Sequence, residues 1–118
     1  MRENLKAHGI LTAAEIRDPA RCPHGRIASV AGVVLFRQQP GTAKGVLFMT
    51  LEDETGRADL IVRPGLPKPC RTAAVYAQMV IARGRVERES GVVHVLVQRM
   101  EELVYRPGAL PSLSRDFR

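Results

Sequence analysis

An acidic cluster, a histidine and a few serines are the groups in this sequence that could do catalytic chemistry. Glu52, Asp53 and Glu54 stand in line at a predicted turn, whereas a two-metal site needs carboxylates that converge from separate strands. His94 has no plausible nucleophile partner, and the serines lie in a turn or a tail, so no nucleophile is paired with a base. A glycine-rich phosphate loop is absent from the sequence. We therefore predict no catalytic residue, no metal and no cofactor.

The two cysteines do not indicate a metal site. Cys22 and Cys70 could form one disulfide, which a reducing cytosol disfavours. With His24 they could also be imagined as metal ligands, but their spacing matches no zinc pattern. We interpret both cysteines as incidental.

Residues that could bind lie around the segment 46–62. Apolar, β-prone runs at 46–51 and 58–62 flank the polar turn residues 52–56, which predicts a β-hairpin. Alternation directs one set of side chains inward, namely Leu47, Met49, Leu51, Ala58, Leu60 and Val62. It directs the other set outward, namely Phe48, Thr50, Arg57, Asp59, Ile61 and Arg63. An aromatic ring among arginines is typical of a surface that stacks bases and holds phosphates, although an ordinary half-buried strand has the same pattern.

Composition limits the class of protein. A chain of 118 residues with 45% hydrophobic residues can bury a core, and its net charge of +6 with a pI near 10.1 favours a polyanionic partner such as nucleic acid. The sequence contains neither a long apolar run nor a basic amphipathic helix, which argues against a membrane partner. The first residues lack the apolar segment of a signal peptide, so we expect a cytoplasmic location.

The remaining elements follow in order. A capping box, with Thr12 as N-cap and Glu15 three residues later, predicts a short helix that ends before Pro19. A strand is predicted over 26–37, with Ala28, Val30, Gly32, Val34 and Phe36 on one face. Three prolines interrupt 63–69, which leaves room for a short helix over 70–76. Strands at 79–89 and from 92 to 97 or a little beyond complete the set, and a tail without periodicity follows from residue 105.

This order predicts an all-β fold, a five-stranded Greek-key barrel of the OB type. A short N-terminal helix precedes the barrel, and a short or degraded helix connects its third and fourth strands. Glycine inside a strand indicates that the strand bends or that another backbone comes close, and we interpret Gly32 as a bend, with Gly84 in the equivalent place of a later strand. We expect a helical lead-in and loop at 1–25, the barrel at 26–104 and a C-terminal tail at 105–118.

The residues also carry a resemblance to a known family. The segment 30–56, with its Gly-Thr-Ala-Lys-Gly stretch, resembles the C-terminal OB domain of the bacterial error-prone DNA polymerase, a relative of the replicative alpha subunit. Segments 9–15, 84–88, 92–95 and 114–118 are similar to the same family. The proline-rich 63–69 departs from it, because the family usually has an aromatic and a charged helix there. At 118 residues the chain has no room for the family's catalytic palm domain.

In OB domains the nucleic-acid path crosses the outer face of the second and third strands and is edged by two loops. On this sequence the path predicts seven binding residues: Arg37, Lys44, Phe48, Thr50, Arg57, Arg63 and Arg88. Phe48 would stack a base, unless it packs under the loop 38–44. The basic residues would neutralise phosphates, although each singly could be a solvated charge. Thr50 could donate to a phosphate or a base edge.

The resemblance implies a module that binds single-stranded DNA and guides the template of an error-prone polymerase in translesion synthesis, DNA replication and repair, within the DNA damage response. The alternative is a protein-interaction module that docks the rest of the polymerase, a sliding clamp or translesion accessory proteins. A third interpretation, an anticodon-type RNA binder, fits the hairpin but not the Gly-Thr-Ala-Lys stretch.

Overall fold

Five long strands close into a barrel. The computed structural model describes residues 10–39, 45–104 and 112–113. In chain order the elements are β1 (Ile10–Leu11), α1 (Ala13–Arg17), β2 (Ile27–Gln38), β3 (Leu47–Asp53), β4 (Gly56–Val62), α2 (Lys68–Tyr76), β5 (Met79–Glu89), β6 (Val92–Val104) and β7 (Ser112–Leu113). None of the helices in these ranges is long and apolar enough to cross a membrane.

The barrel strands run in the order β2, β3, β4, β6, β5, and β5 returns to pair with β2. All neighbours are antiparallel except β4 and β6, which are parallel. The predicted five-stranded barrel is therefore confirmed. Two short strands lie outside it, because β1 pairs with β2 and β7 pairs with β6. The sequence did not predict these two strands, and β6 continues to Val104, whereas the predicted end was Val97 or a little beyond.

The barrel interior is filled with aliphatic side chains. The predicted inward set of the hairpin is confirmed, because Met49, Leu51, Ala58, Leu60 and Val62 are all at most 4% exposed and Leu47, partly buried, packs against the same core. They pack with fully buried valines of β5 and β6, namely Val80, Val86, Val95 and Val97. With few aromatic residues, the core depends on these closely packed aliphatic groups.

Helix α1 begins at the predicted capping box. The Thr12 hydroxyl accepts from the Glu15 amide at 3.0 Å, and the Glu15 carboxylate accepts from the Thr12 amide at 2.8 Å. Asp53, in the hairpin, accepts from the amide of Ala13 at 2.8 Å. The predicted turn at the hairpin tip thus supplies a cap for α1, where a carboxylate also complements the positive end of the helix.

Helix α2 starts two residues before the predicted segment and ends at Tyr76 as predicted. Pro67 is its N-cap and Pro69 lies in its first turn. Prolines are tolerated there because the amides of a first turn have no partner inside the helix. The proline-rich segment therefore leads into the helix instead of preventing it.

The two predicted bends are close approaches of backbone. At Gly32, where β2 changes its partner from β5 to β3, an added Cβ would lie 2.6 Å from the carbonyl oxygen of Glu52. At Gly84 it would overlap the carbonyl of Leu96. Only glycine fits at either position, because the backbone of a neighbouring strand comes close, which is the alternative that the sequence left open beside a bend.

A bulge in β2 corrects one prediction. Val34 pairs with Leu51 and Phe36 with Thr50, so Leu35 is an extra residue between them. Beyond the bulge the alternation is inverted, because one inserted residue exchanges the two faces of a strand. Phe36 therefore does not share the face of Val34, as predicted, but points outward and is 54% exposed.

Candidate nucleic-acid interface

The outer face of β2, β3 and β4 carries two rows of cross-strand neighbours. One row consists of Phe36, Thr50 and Asp59, and the other of Gln38, Phe48 and Ile61. The rows are two residues apart along β3, so their side chains share a face. This surface is called the aromatic face below. Its two phenylalanines are 54% and 38% exposed, which leaves both rings open to a planar ligand.

Each ring lies at a groove. The Phe36 groove, of about 300 Å³, is lined by Ile16, Arg17, Phe36, Thr50, Arg57, Ala58, Asp59 and Val93. The Phe48 groove, of about 250 Å³, is lined by Phe48, Met49, Thr50, Asp59, Leu60, Ile61, Val92 and His94. Thr50 and Asp59 line both grooves and therefore form the ridge between them.

The ridge is held by a hydrogen bond. The Thr50 hydroxyl donates to Oδ1 of Asp59 at 3.0 Å, across β3 and β4. Thr50 is only 7% exposed, although it faces outward as predicted. Asp59 covers it and presents its carboxylate to solvent.

Two arginines border the Phe36 groove. The sequence predicted Arg57 as a binding residue but did not predict Arg17. The Arg57 side chain is 62% exposed and forms an ion pair of 3.8 Å with Glu52. An ion pair that is so exposed is weak, so the Arg57 guanidinium can exchange it for a phosphate. Arg17, at the end of α1, extends its guanidinium to Gly56 at the start of β4.

Two other predicted residues have structural partners. Arg37, turned away from the aromatic face by the bulge, donates to the carbonyls of Ala74 and Ala77 and, at 3.5 Å, of Ala73. Burial lowers the pKa of its guanidinium. A cation is favourable at these last carbonyls of α2, which carry the negative end of the helix dipole.

Arg88 has the same relation to α1. It donates to the carbonyls of Ile16 at 2.6 Å, Arg17 at 3.1 Å and Cys22 at 2.8 Å. The structure therefore places Arg37 and Arg88 at helix ends, away from the grooves of the aromatic face.

The last two predicted residues are not on the aromatic face. Arg63 is exposed in a separate groove that Leu47, Arg71 and Val75 also line. Lys44 lies outside the described residues, as do 40–43 of its loop and most of the tail from residue 105. Of the seven predicted residues, the structure brings together Phe48, Thr50 and Arg57.

Three contributors to the grooves were missed, namely Phe36, Arg17 and His94. Phe36 was assigned to the wrong face because the bulge cannot be seen in the alternation. Arg17 was passed over because it lies 40 residues before Arg57 in the sequence. His94 was considered only as a catalytic group, yet it lines the Phe48 groove, with Nε2 3.6 Å from Oε1 of Glu87.

The cysteines are apart from this surface. Cys22 and Cys70 are both free thiols and buried. Burial raises the pKa of the Cys22 thiol, an effect that the nearby Arg26 and Arg88 oppose. Cys70 accepts a hydrogen bond from the amide of Met100 at 3.3 Å. In the described ranges no three histidine, cysteine or acidic side chains are grouped to hold a metal ion.

The sequence pattern of the OB-fold nucleic acid binding domain family matches residues 28–103, which span the five barrel strands from Ala28 to Leu103. The chain belongs to this family. An OB-fold also agrees with the closed barrel described above. An asparaginyl-tRNA synthetase from Pyrococcus horikoshii has a similar fold, with a TM-score of 0.63 and 22% identity over 78% of this chain and 22% of that chain.

This OB-fold domain is also similar in sequence to a short segment of much longer DNA polymerases. It is 42% identical to Error-prone DNA polymerase 1 of Rhizobium meliloti (strain 1021), over 99% of this chain and 10% of that protein. It is 43% identical to the Error-prone DNA polymerase of Aromatoleum aromaticum, over 99% of this chain and 11% of that protein. The predicted resemblance to the error-prone DNA polymerases is thus confirmed. The chain spans about a tenth of these relatives and lacks their catalytic domain.

Proposed function

We propose that this chain binds single-stranded DNA on its aromatic face and guides the template of an error-prone DNA polymerase in the bacterial cytoplasm, during translesion synthesis and repair. One observation carries the proposal: two exposed phenylalanines, Phe36 and Phe48, share one face, and each borders its own groove. Aromatic rings stack bases of any sequence, and each stacked base contributes ~1 to 3 kcal/mol.

Charge supports the same surface. Arg17 and Arg57 border the Phe36 groove, so a phosphate next to a base on Phe36 would meet two guanidinium groups. Arg63 and Arg71 line a separate groove beside α2, with Gln39 and Gly45, and would hold phosphates of a longer strand. Arg37 and Arg88 support the fold in this proposal and do not contact DNA, because helix carbonyls occupy their guanidinium groups.

The test is fluorescence anisotropy of a labelled single-stranded oligonucleotide, titrated with the purified chain at several salt concentrations. Phe36→Ala and Phe48→Ala are each expected to weaken binding by about 5- to 100-fold. Leu35→Ala is the matched control, because Leu35 is a similarly exposed apolar residue (38%) at the bulge of the same strand and lines neither groove. If the phenylalanine variants bind like the control, the aromatic face is not the binding surface.

A second candidate function is protein docking on α2. Val75 and Tyr76 are 51% and 78% exposed on this helix, and Tyr76 lines a groove with Pro69 and Glu102. This surface would suit the rest of a polymerase, a clamp or an accessory protein. Absence of single-strand binding at low salt would favour docking, and Tyr76→Ala would then be the variant to compare in binding assays with candidate partners.

A further inference from the structure

The side chains of the ridge between the two grooves have hydrogen-bond acceptors but no free donor for a ligand. Thr50 has a single hydroxyl proton, and the structure directs it to Oδ1 of Asp59 at 3.0 Å. A carboxylate has no proton to donate at neutral pH. The side chains of the ridge therefore offer only hydrogen-bond acceptors to a ligand in either groove. These acceptors are Oδ2 of Asp59 and the lone pairs of Asp59 Oδ1 and the Thr50 hydroxyl that their own hydrogen bond does not use.

The Asp59 carboxylate lies at an unfavourable place for a surface that binds a polyanion. A negative charge between two rings that stack bases repels the phosphates of the same strand. Among the described residues no arginine forms an ion pair with Asp59. Arg57, which lines the same groove, pairs with Glu52 instead. Thr50, which is 7% exposed, instead fixes the carboxylate in one orientation. An oriented carboxylate at this place is suited to accept a hydrogen bond from the edge of a bound base.

We infer that Asp59, oriented by Thr50, makes the aromatic face select bases that present an amino group, and in particular cytosine over thymine. The inference rests on the proposed single-strand binding. Cytosine offers its N4 amino group as a donor to a carboxylate, whereas thymine presents the O4 acceptor at the same position. The two pyrimidine rings are of equal size, so stacking on Phe36 or Phe48 does not separate them. Asp59 is thus a specificity-determining residue and Thr50 a positioning residue.

The experiment compares the affinities of the chain for matched short oligomers of deoxycytidine and thymidine by fluorescence anisotropy at neutral pH. The wild-type chain is expected to bind the deoxycytidine oligomer roughly fivefold more tightly, or better. Asp59→Asn keeps the shape and the acceptor for Thr50 but turns an amide donor toward the base, so the preference is expected to invert in favour of thymidine. Thr50→Val removes the orienting hydroxyl, and the preference is expected to shrink.

Removal of a negative charge strengthens DNA binding for general reasons, so a charge control is needed. Glu89→Gln makes the same change of charge at an exposed residue at the end of β5, outside both grooves. It is expected to shift the two affinities together and to leave their ratio unchanged. A ratio that changes in Asp59→Asn but not in Glu89→Gln isolates base reading from charge.

The outcomes separate this inference from the proposed function. Equal affinity of the wild-type chain for the two oligomers overturns the base preference and leaves single-strand binding intact. A preference that survives unchanged in Asp59→Asn overturns the role of Asp59. No binding to either oligomer overturns both.

Discussion

Nη2 of Arg88, on β5, lies 2.6 Å from the carbonyl oxygen of Ile16, near the end of α1. Its Nη1 and Nε donate to the carbonyls of Arg17 and Cys22 at 3.1 and 2.8 Å. One side chain thus joins the barrel, the last turn of α1 and the following loop. Since α1 also supplies Arg17 to the Phe36 groove, this contact positions part of the proposed site.

Arg88→Ala is expected to lower the free energy of unfolding by roughly 2 to 3 kcal/mol, because it removes three charged hydrogen bonds, of which those to the carbonyls of Ile16 and Cys22 are partly buried. Urea denaturation measures the change. Arg85→Ala, at an exposed position on the same strand, is the control and should stay within about 0.5 kcal/mol. If Arg88→Ala keeps full stability but weakens DNA binding, Arg88 is a phosphate contact, as the sequence predicted.

Arg37→Ala is expected to loosen α2 in particular. Arg37 donates to carbonyls at the C-terminal end of that helix, so its loss leaves them with fewer partners. Hydrogen exchange should become faster at the amides of α2 while the amides of β5 keep their protection. Gln38→Ala, the next and exposed residue, should change neither. Uniformly faster exchange in all elements would contradict a local role.

Gly84→Ala is expected to destabilise the chain by at least about 2 kcal/mol, because its Cβ would overlap the carbonyl of Leu96 on the paired strand. Thermal unfolding followed by circular dichroism measures this loss. Gly65→Asn is the control, since nothing lies within 4 Å of an added Cβ there and its strain comes only from the φ of +91°, a region that asparagine adopts more readily than most residues. Wild-type stability in Gly84→Ala would show that the strands can separate at this point.

The buried Cys22 thiol predicts a loss of stability in alkali. Burial raises its pKa, so at a pH above the ordinary pKa of a thiol, about 8.5, the unfolded chain loses the proton while the native chain keeps it. The unfolded state then binds fewer protons, and the free energy of unfolding falls as pH rises. Cys22→Ala should reduce that slope by up to about 1.4 kcal/mol per pH unit in urea titrations at pH 8 to about 10.5. An identical slope in the variant would exclude Cys22 as its source.

Arg57→Ala is expected to reduce the salt dependence of single-strand binding by about 0.7 in the slope of log affinity against log salt, the value for one phosphate contact. Anisotropy titrations at four or five salt concentrations give the slope. Arg21→Ala is the control, because Arg21 is equally exposed but pairs with Glu15 and Asp18 outside the grooves. An unchanged slope in Arg57→Ala would remove Arg57 from the phosphate path.

Local patterns predicted much of the fold. The hairpin follows from alternating apolar residues on both sides of a polar turn, and α1 follows from Thr12 and Glu15 at the spacing of a capping box. Gly32 and Gly84 stood out because glycine inside a strand has a cost that a close backbone approach explains. Each of these signals lies within a few residues, so no knowledge of distant partners was needed.

The binding surface was predicted less completely, because it depends on partners far apart in the chain. Phe48, Thr50 and Arg57 were placed on the outer face by the alternation within one hairpin. The faces of Phe36 and Arg37 were predicted the wrong way round, because the bulge at Leu35 shifts the alternation by one residue. The register of β2 against β3 determines this bulge, and the local sequence pattern does not show it.

The sequence by itself therefore determined the five barrel strands, the first helix, the positions of the two strand glycines and the basic charge of this OB-fold domain, since these depend on local propensity and composition. Only the tertiary structure decided what each arginine contacts. A long guanidinium side chain reaches whichever carbonyls or carboxylates the closed barrel brings near it. In this chain closure brought Arg37 and Arg88 to helix ends and left Arg17 and Arg57 beside the exposed ring of Phe36.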